Sequence, residues 1–163
     1  MKILANDGIS QQAIDTLSKV GFEVITTKVA QNQLADFINK EQVEILLVRS
    51  ATQAKKDLIE ACPSLKLIGR GGVGLYNIDV KYAQEKDIKV INTPNASSYS
   101  VAELTFAHLF NGVRFLYDAN RNMPLEGDTH FAQLKKNYAN GQELRGKTLG
   151  IIGLGRIGKA VAT

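Results

Sequence analysis

Short apolar segments alternate with amphipathic ones along the first 95 residues of the chain. The apolar segments begin near Lys2, Phe22, Val43, Leu65 and Ile88, a spacing of about 21 residues that accommodates one strand and one helix each time. Branched aliphatic residues run almost without interruption through 43–48, which is typical of a strand buried on both faces. The alternation therefore predicts an α/β fold in which helices cover both faces of a parallel sheet.

The pattern predicts five strands, at residues 1–5, 22–27, 43–48, 65–68 and 89–92. The helices between them follow from apolar residues that recur at helical spacing and from residues that begin or end helices. Gly21 should end the first helix, Pro63 should follow the third, and Thr52 is expected to cap the helix that carries Leu58 and Ile59.

The rhythm changes after Pro94. Residues 98–117 predict one long helix whose apolar stripe is too wide for a simple surface helix, so we expect it to pack between domains or against another subunit. Residues 120–145 show no clear period and predict an irregular connection with one short helix at most. A further strand is predicted at 148–152, and a helix begins near Ile157.

Composition narrows the function classes. The 163 residues include 20 Lys and Arg against 16 Asp and Glu, and the two kinds are interleaved, so we expect a mild bias toward small anions and no nucleic-acid partner. No apolar run is long enough to cross a bilayer, so no membrane partner is expected. Cys62 is the only cysteine, which excludes an internal disulfide and a Cys-rich zinc site and favours a reducing, cytoplasmic compartment.

The strongest chemical motif is Gly153-Leu154-Gly155-Arg156-Ile157-Gly158, which follows an apolar strand and opens a helix. The first glycine permits a tight turn, the second lets a pyrophosphate approach the backbone, and the third lets helix and strand pack closely. The unpaired amides at the helix start would then face the phosphates. The motif predicts dinucleotide binding.

Two other segments could bind anions at the carboxyl ends of strands. Arg70-Gly71-Gly72-Val73-Gly74 can converge its amides on a carboxylate or phosphate, or it can be a simple flexible turn. Arg49, directly after the third strand, can fork onto a similar group, or it can pair with a nearby acid. We expect His108 to be packed or at an interface, His130 to be a solvated loop residue, and Cys62 to be a packed side chain.

Six ordered motifs resemble the D-2-hydroxyacid dehydrogenases, and most closely their D-3-phosphoglycerate dehydrogenase branch. The motifs are Arg49-Ser50-Ala51-Thr52, Gly69-Arg70-Gly71-Gly72-Val73-Gly74, Asn77-Ile78-Asp79, Asn92-Thr93-Pro94-Asn95, Val101-Ala102-Glu103-Leu104 and the glycine-rich segment 146–158. The resemblance covers nearly the whole chain. It implies a flavodoxin-like parallel-sheet substrate-binding domain at 1–95, followed by the start of a Rossmann NAD-binding domain at 96–163.

The resemblance also implies roles for individual residues. Arg49 and Ser50 would meet the acidic group of a small anionic 2-hydroxy or 2-oxo acid, and the amides of Gly72 and Val73 would hold its carboxylate. Val73 would also border the nicotinamide of NAD. The pyrophosphate would contact the turn formed by Gly153, Gly155, Arg156, Ile157 and Gly158. Lys135 or Lys136 is a further candidate for a phosphate group, and the family implies a homodimer formed through the nucleotide-binding domain.

Three departures from the family pattern matter. The family usually has Asp at the position of Tyr76, and its phosphoglycerate members often have Asn where Ser97 stands. We expect these changes to alter the bend between domains or the substrate preference. The family's catalytic Arg, Glu and His follow the first Rossmann βα unit and match no residue here, so we assign no catalytic residue and expect these 163 residues to be the front half of a longer enzyme.

Two other function classes stay open at this point. The chain could be a non-catalytic anion-binding or dimerisation module, or a dehydrogenase acting on glycerate, glyoxylate, hydroxypyruvate or D-lactate. The choice between NAD and NADP also stays open, because the acidic residue that would bind the ribose is expected about 20 residues beyond the glycine turn.

Overall fold

Five parallel strands form a single sheet in the computed structural model, which describes every residue from Met1 to Thr163. The strands are β1 (Lys2–Ala5), β2 (Glu23–Ile25), β3 (Ile45–Val48), β4 (Leu67–Arg70) and β5 (Lys89–Asn92). Their spatial order is β2-β1-β3-β4-β5, which is the flavodoxin-like order. The predicted fold class is therefore confirmed for this part of the chain.

Seven α-helices and one short 3-10 turn, Gln31–Gln33, accompany the sheet. The helices are α1 (Gln11–Lys19), α2 (Leu34–Glu41), α3 (Lys56–Ala61), α4 (Val80–Glu85), α5 (Ser98–Arg114), α6 (Leu116–Asn137) and α7 (Arg156–Ala162). The chain divides into two compact units, Met1–Ala96 (unit 1) and Ser97–Thr163 (unit 2). Unit 1 holds the whole sheet and α1–α4, whereas unit 2 holds α5–α7.

The core of unit 1 lies on one face of its sheet. Alternate strand residues such as Leu4, Leu46 and Ile68 are fully buried and pack with Leu34 and Ile38 of α2. The crossover helices α2, α3 and α4 all lie on this face, because each right-handed connection moves along the sheet in the same direction. Full burial of one such side chain stabilises the fold by about 1.5–3 kcal/mol.

The opposite face of the sheet carries only α1. The connection from β1 to β2 runs in the other direction along the sheet, so α1 crosses on the side opposite to α2–α4. No residue of α1 is fully buried, and Ile91 in β5 is 43% exposed. The prediction that helices cover both faces is therefore wrong for the β4 and β5 half of this face in unit 1.

Thr52 does not cap a helix. The helix that carries Leu58 and Ile59 begins at Lys56, and its first turn receives no side-chain cap. The Thr52 hydroxyl instead donates a hydrogen bond to Asp7 and accepts one from Asn6. The predicted cap is wrong because a buried polar network after β1 binds this hydroxyl.

Unit 2 contains more helix than its composition indicates. The irregular connection predicted at 120–145 is wrong for residues 120–137, since α6 continues to Asn137 with Pro124 inside it and a bend at His130, where φ is −119° and ψ is 23°. It is confirmed for residues 138–145, which form turns and irregular structure. Side-chain hydrogen bonds one turn apart support this helix: Arg121 donates to the Tyr117 hydroxyl, and Gln133 donates to Asn137. The pattern misled because Asn, Gly and Pro lower helix propensity without forbidding a helix.

The strand predicted at 148–152 is also absent. A strand needs hydrogen-bonded neighbours, and all five strands of the chain lie in the sheet of unit 1. The helix predicted near Ile157 does form, as α7, and it packs against α5. Leu104, Phe106 and Phe110 of α5 stay exposed. No helix in the structure is both long enough and apolar enough to span a bilayer.

Candidate functional site

An open cavity of about 780 Å³ lies in unit 1, along the sparsely covered face of the sheet. Its floor is apolar: Leu47, Gly69 and Ile91 are partners in register on three adjacent strands. A Cβ atom added to Gly69 would lie 2.7 Å from the end of the Leu47 side chain, so a larger residue at this position would require Leu47 to shift. Asp7, Arg49 and Arg70 form the polar end of the cavity, at the carboxyl ends of β1, β3 and β4.

The polar end lies where the strand order reverses. In a 2-1-3-4-5 sheet this point is between β1 and β3, and open parallel sheets bind ligands there. A second cavity of about 470 Å³ adjoins it, lined by Lys28 and Ser50 among others. Arg49 and Asp7 line both cavities, so they occupy the centre of the candidate site.

The Asp7 carboxylate organises the loop after β3. It accepts hydrogen bonds from the Arg49 amide at 2.7 Å, the Thr52 amide at 3.1 Å and the Thr52 hydroxyl at 2.7 Å. Partial burial alone would raise the pKa of Asp7, but these hydrogen bonds outweigh it and hold the pKa below its ordinary value. Asp7 is therefore a charged anchor that fixes the backbone of the residue carrying the Arg49 side chain.

Asn77 fixes the same loop from the other side. Its side-chain amide is fully buried and donates hydrogen bonds to the Arg49 and Thr52 carbonyl groups, at 2.8 and 2.7 Å. Its Oδ1 atom has no hydrogen-bond partner in the chain. The loop 49–52 is thus held at both ends by Asp7 and Asn77.

The Arg49 side chain has no acidic partner. The four ion pairs in the chain involve Met1, Lys2 and Lys66 with glutamates, and neither Arg49 nor Arg70 takes part. Arg49 is exposed at the mouth of both cavities. Of the two alternatives for this residue, pairing with a nearby acid is not what the structure contains.

The predicted substrate amides of Gly72 and Val73 lie outside the lining of both cavities. The Gly72 amide already donates a hydrogen bond to the Arg70 carbonyl at 3.0 Å, and the Gly72 carbonyl accepts one from the Thr93 amide. The Val73 carbonyl accepts a hydrogen bond from Asn92. The structure therefore brings Arg49 and Ser50 together with Asp7 at the second cavity, while Gly72 and Val73 line neither cavity and their roles stay predictions.

The glycine turn of unit 2 has the backbone features that its three glycines predict. Gly153 has a φ of +94°, a conformation that favours glycine. The space above Gly155 is open, with no atom within 4 Å of an added Cβ. An added Cβ on Gly158 would collide with the Gly153 carbonyl. Arg156 and Ile157 begin α7, whose first turn has no side-chain cap.

The remaining candidates differ in how the structure places them. His108 is exposed on α5, so it is not packed within the chain, and its alternative place at an interface stays a prediction. His130 is exposed as predicted, but it lies at the bend of α6 and not in a loop. Lys135 and Lys136 lie in the last turn of α6. Ser97 precedes α5 and forms no side-chain cap.

A family model for the catalytic domain of the D-isomer specific 2-hydroxyacid dehydrogenases matches residues 3–152. The chain belongs to this family. It is 42% identical over 161 residues to a D-3-phosphoglycerate dehydrogenase of Methanocaldococcus jannaschii, and 41% identical over 162 residues to a hydroxypyruvate reductase of Thermotoga maritima. Each match covers 99% of this chain. The resemblance predicted from the six motifs is therefore confirmed.

Solved structures agree with the family assignment. An NAD⁺-bound 3-phosphoglycerate dehydrogenase of Entamoeba histolytica superposes with a TM-score of 0.72 and 28% sequence identity over 99% of this chain. The 163 residues span 29% of the Methanocaldococcus relative, 50% of the Thermotoga relative and 49% of the Entamoeba chain. The chain thus corresponds to half or less of the length of these dehydrogenases.

Sequence reasoning about this dehydrogenase-family chain missed two residues of the polar end. Asp7 received no role although it follows β1 directly, and Asn77 was noted only as part of a motif. A signal for Asp7 was available, because residues just after the strands flanking a reversal of strand order meet at one edge. The role of Asn77 depends on its contacts with residues 25 and 28 positions earlier, which no local pattern encodes.

Proposed function

We propose that this chain forms the substrate-binding domain and the first nucleotide-binding turn of an NAD-dependent D-2-hydroxyacid dehydrogenase, with 3-phosphoglycerate as its substrate. The carrying observation is Arg49: it stands at the reversal of strand order, lines both cavities and has no acidic partner. An unpaired guanidinium in this position suits bidentate binding of a carboxylate or phosphate. The relatives named phosphoglycerate dehydrogenase support this choice of acid.

In this proposal the chain's own residues bind and orient the acid. Arg49 attracts the anionic group. Asp7 and Asn77 hold the loop that carries Arg49, which reduces the conformational entropy that is lost when the ligand binds. The Gly72 amide contributes only if it leaves the Arg70 carbonyl. Ser50 lines the adjoining cavity and offers a hydroxyl to the same ligand.

Calorimetric titration with 3-phosphoglycerate tests the role of Arg49. We expect Arg49→Gln to weaken binding by about tenfold or more, because a hydrogen-bonded charge pair contributes about 1.5–3 kcal/mol. Arg145→Gln is the matched control, since Arg145 is also exposed and its substitution removes the same charge from unit 2. Equal affinity of the two variants and the unmodified chain would contradict the proposal.

For NAD, we propose that the amides around Gly155, Arg156 and Ile157 contact the pyrophosphate. The open space above Gly155 and the absence of room at Gly158 support this role. When bound, NAD supplies the acceptor for the hydride that leaves the C2 carbon of the hydroxy acid. No histidine lines the cavity of unit 1, so we expect the 163-residue chain to bind 3-phosphoglycerate without forming NADH.

Two glycines provide a matched test of the nucleotide turn. Gly155 and Gly150 both have open space around them and neither has a positive φ, so alanine fits at either position. We expect Gly155→Ala to weaken NADH binding, measured by fluorescence titration, and Gly150→Ala to leave it unchanged. Equal binding by both variants would contradict the assignment of this turn.

The second candidate function is reduction of hydroxypyruvate, which the similarity to the Thermotoga relative favours. Competition between 3-phosphoglycerate and D-glycerate separates the two, because only the first carries a phosphate. For assembly we propose a homodimer formed through unit 2, supported by the exposed side chains of Leu104, Phe106 and Phe110. Sedimentation equilibrium measures its mass directly.

A further inference from the structure

Two asparagines and one aspartate stand directly before a glycine, in the pairs Asp7-Gly8, Asn111-Gly112 and Asn140-Gly141. Because glycine has no Cβ, its backbone nitrogen is unhindered and its dihedral angles are unusually free. This nitrogen can attack the side-chain carbonyl carbon of the preceding residue and close a five-membered imide ring. The two Asn-Gly pairs are alike in sequence, but the structure places all three pairs in different surroundings.

The surroundings of the Asp7-Gly8 pair hold both reacting groups. The Asp7 carboxylate accepts hydrogen bonds from the Arg49 amide and from the amide and hydroxyl of Thr52. The Gly8 amide donates a hydrogen bond to the Ala5 carbonyl at 3.0 Å. An ionised carboxylate is also a poor electrophile. The structure therefore disfavours imide formation at Asp7.

The Asn111-Gly112 pair lies inside α5, which continues to Arg114. In an α-helix each amide donates to the carbonyl four residues earlier, so the nitrogen of Gly112 is engaged. The Asn111 carbonyl accepts a hydrogen bond from the Phe115 amide, which fixes the backbone on the other side of the pair. Imide formation at Asn111 therefore requires the end of α5 to open first.

The Asn140-Gly141 pair lies in the turn that follows α6, outside any helix or strand. Asn140 is exposed to solvent. The Gly141 amide donates only to the Tyr138 carbonyl at 3.3 Å, which is longer than the common range of about 2.7–3.2 Å. Of the three glycine nitrogens, that of Gly141 is thus the one that the fold holds least.

The turn that carries Asn140 rests on the end of α5. The Gln142 amide donates a hydrogen bond to the Val113 carbonyl at 2.9 Å, and a Cβ added to Gly141 would lie 3.4 Å from Nε of Arg114. The helix α5 is also the one against which α7, the helix of the glycine turn, packs. A change in backbone length at residue 140 would therefore disturb the contact between this turn and α5.

We propose that Asn140 is a site of spontaneous covalent modification by water, in which the fold selects it over Asn111. The Gly141 nitrogen loses its proton to solvent and bonds to Cγ of Asn140, whose side-chain nitrogen leaves as ammonia. Water then opens the imide at either carbonyl and produces aspartate or isoaspartate. One water is consumed, one ammonia is released and no electrons are exchanged. In isoaspartate the backbone runs through the former side chain and gains one methylene, which breaks the bond from Gln142 to Val113.

Ageing of the chain in mildly alkaline buffer, followed by peptide mass spectrometry, tests this proposal. The mass gain that accompanies replacement of NH₂ by OH should appear in the peptide with Asn140 at least about tenfold faster than in the peptide with Asn111, because α5 must open before Gly112 can react. In urea the two peptides should react at similar rates, since both contain Asn-Gly. Equal rates in the folded chain, or no reaction at Asn140, would overturn the proposal.

Hydrogen exchange of the Gln142 amide separates the effect of the new charge from that of the longer backbone. Asn140→Asp carries the charge on a normal backbone and should keep this amide protected, whereas the aged chain should lose protection in proportion to its isoaspartate content. Asn140→Gln should abolish the reaction, and the matched variant Asn111→Gln should leave it unchanged. Full protection of Gln142 in isoaspartate-containing chains would contradict the proposed break.

Discussion

Unit 1 and unit 2 differ in how much of their apolar surface is buried by their own residues. In unit 1 every strand has a neighbour and the core residues Leu4, Leu46 and Ile68 are fully buried. In unit 2 the buried apolar side chains are few, among them Ala102, Leu134 and Val161, while many larger ones are exposed. A helix or strand with an apolar face is stable only where another element is present to bury that face.

The first test of this difference between the units uses Cys62, which is fully buried in the core of unit 1. Burial raises the pKa of the Cys62 thiol to about 11, from an ordinary value of 9.0, and the negative charge of Asp36 adds to this effect. Near pH 8 the smaller thiolate fraction alone should slow reaction with a disulfide reagent about a hundredfold, and burial should slow it further. Stopped-flow absorbance measures the rate with and without denaturant; rapid reaction of the native chain would contradict a closed core in unit 1.

Core truncation should have the next largest effect. Ile68→Ala removes a fully buried side chain from β4 and should lower the free energy of unfolding by about 2–5 kcal/mol. Phe110→Ala truncates a larger side chain in α5 that is 49% exposed, and it should cost far less in a monomer. Urea denaturation followed by circular dichroism compares the two variants, and equal losses would show that unit 2 is as well packed as unit 1.

Within unit 2, the glycine turn contains one closely packed glycine and one open glycine, which can be compared directly. Gly158→Ala introduces a Cβ against the Gly153 carbonyl, whereas Gly155→Ala introduces one into open space. We expect Gly158→Ala to destabilise α7 and its packing on α5 by about 1–3 kcal/mol, and Gly155→Ala to cost little. Hydrogen exchange of the α7 amides measures the difference, and identical exchange in both variants would contradict the close contact.

The smallest expected effect is the pH dependence that Asp7 contributes to unit 1. Its pKa is lower in the folded chain than the ordinary value of 3.8, so the ionised form is the one that the fold stabilises. The contribution is fully present above the ordinary pKa and is lost as the pH falls through the folded pKa. Asp7→Asn should therefore flatten the stability profile below about pH 4. Urea midpoints measured at several pH values test this, and a profile unchanged by the substitution would exclude the anchor role of Asp7.

Sequence patterns predicted the fold of unit 1 well because its signals are local and mutually consistent. The strand at Lys89–Asn92 coincides with its prediction, and the buried run ending at Val48 forms β3. The patterns failed at 148–152, where a strand-like segment has no neighbouring strand, and at α6, where Pro124 and several asparagines concealed a helix. Periodicity indicates which side chains can be buried, but it does not indicate whether another strand or helix is present to pack against them.

The candidate site was predicted less completely than the fold. Arg49 and the glycine turn followed from positions at the ends of predicted strands, which is information that the chain order contains. Asp7, Asn77 and the contact between Arg70 and Tyr76 depend on where loops meet in space. The occupied amide of Gly72 likewise follows from the exact turn geometry, which glycine content alone leaves undetermined.

Titration of the isotope-labelled chain with 3-phosphoglycerate, followed by amide chemical shifts, tests the central claim most directly. The account predicts saturable shifts that centre on Asp7, Arg49, Arg70 and Gly71 in unit 1 and that disappear in Arg49→Gln. Shifts that instead centre on the lysines of α6, or that persist in Arg49→Gln, would contradict a small-anion site at the carboxyl edge of the sheet.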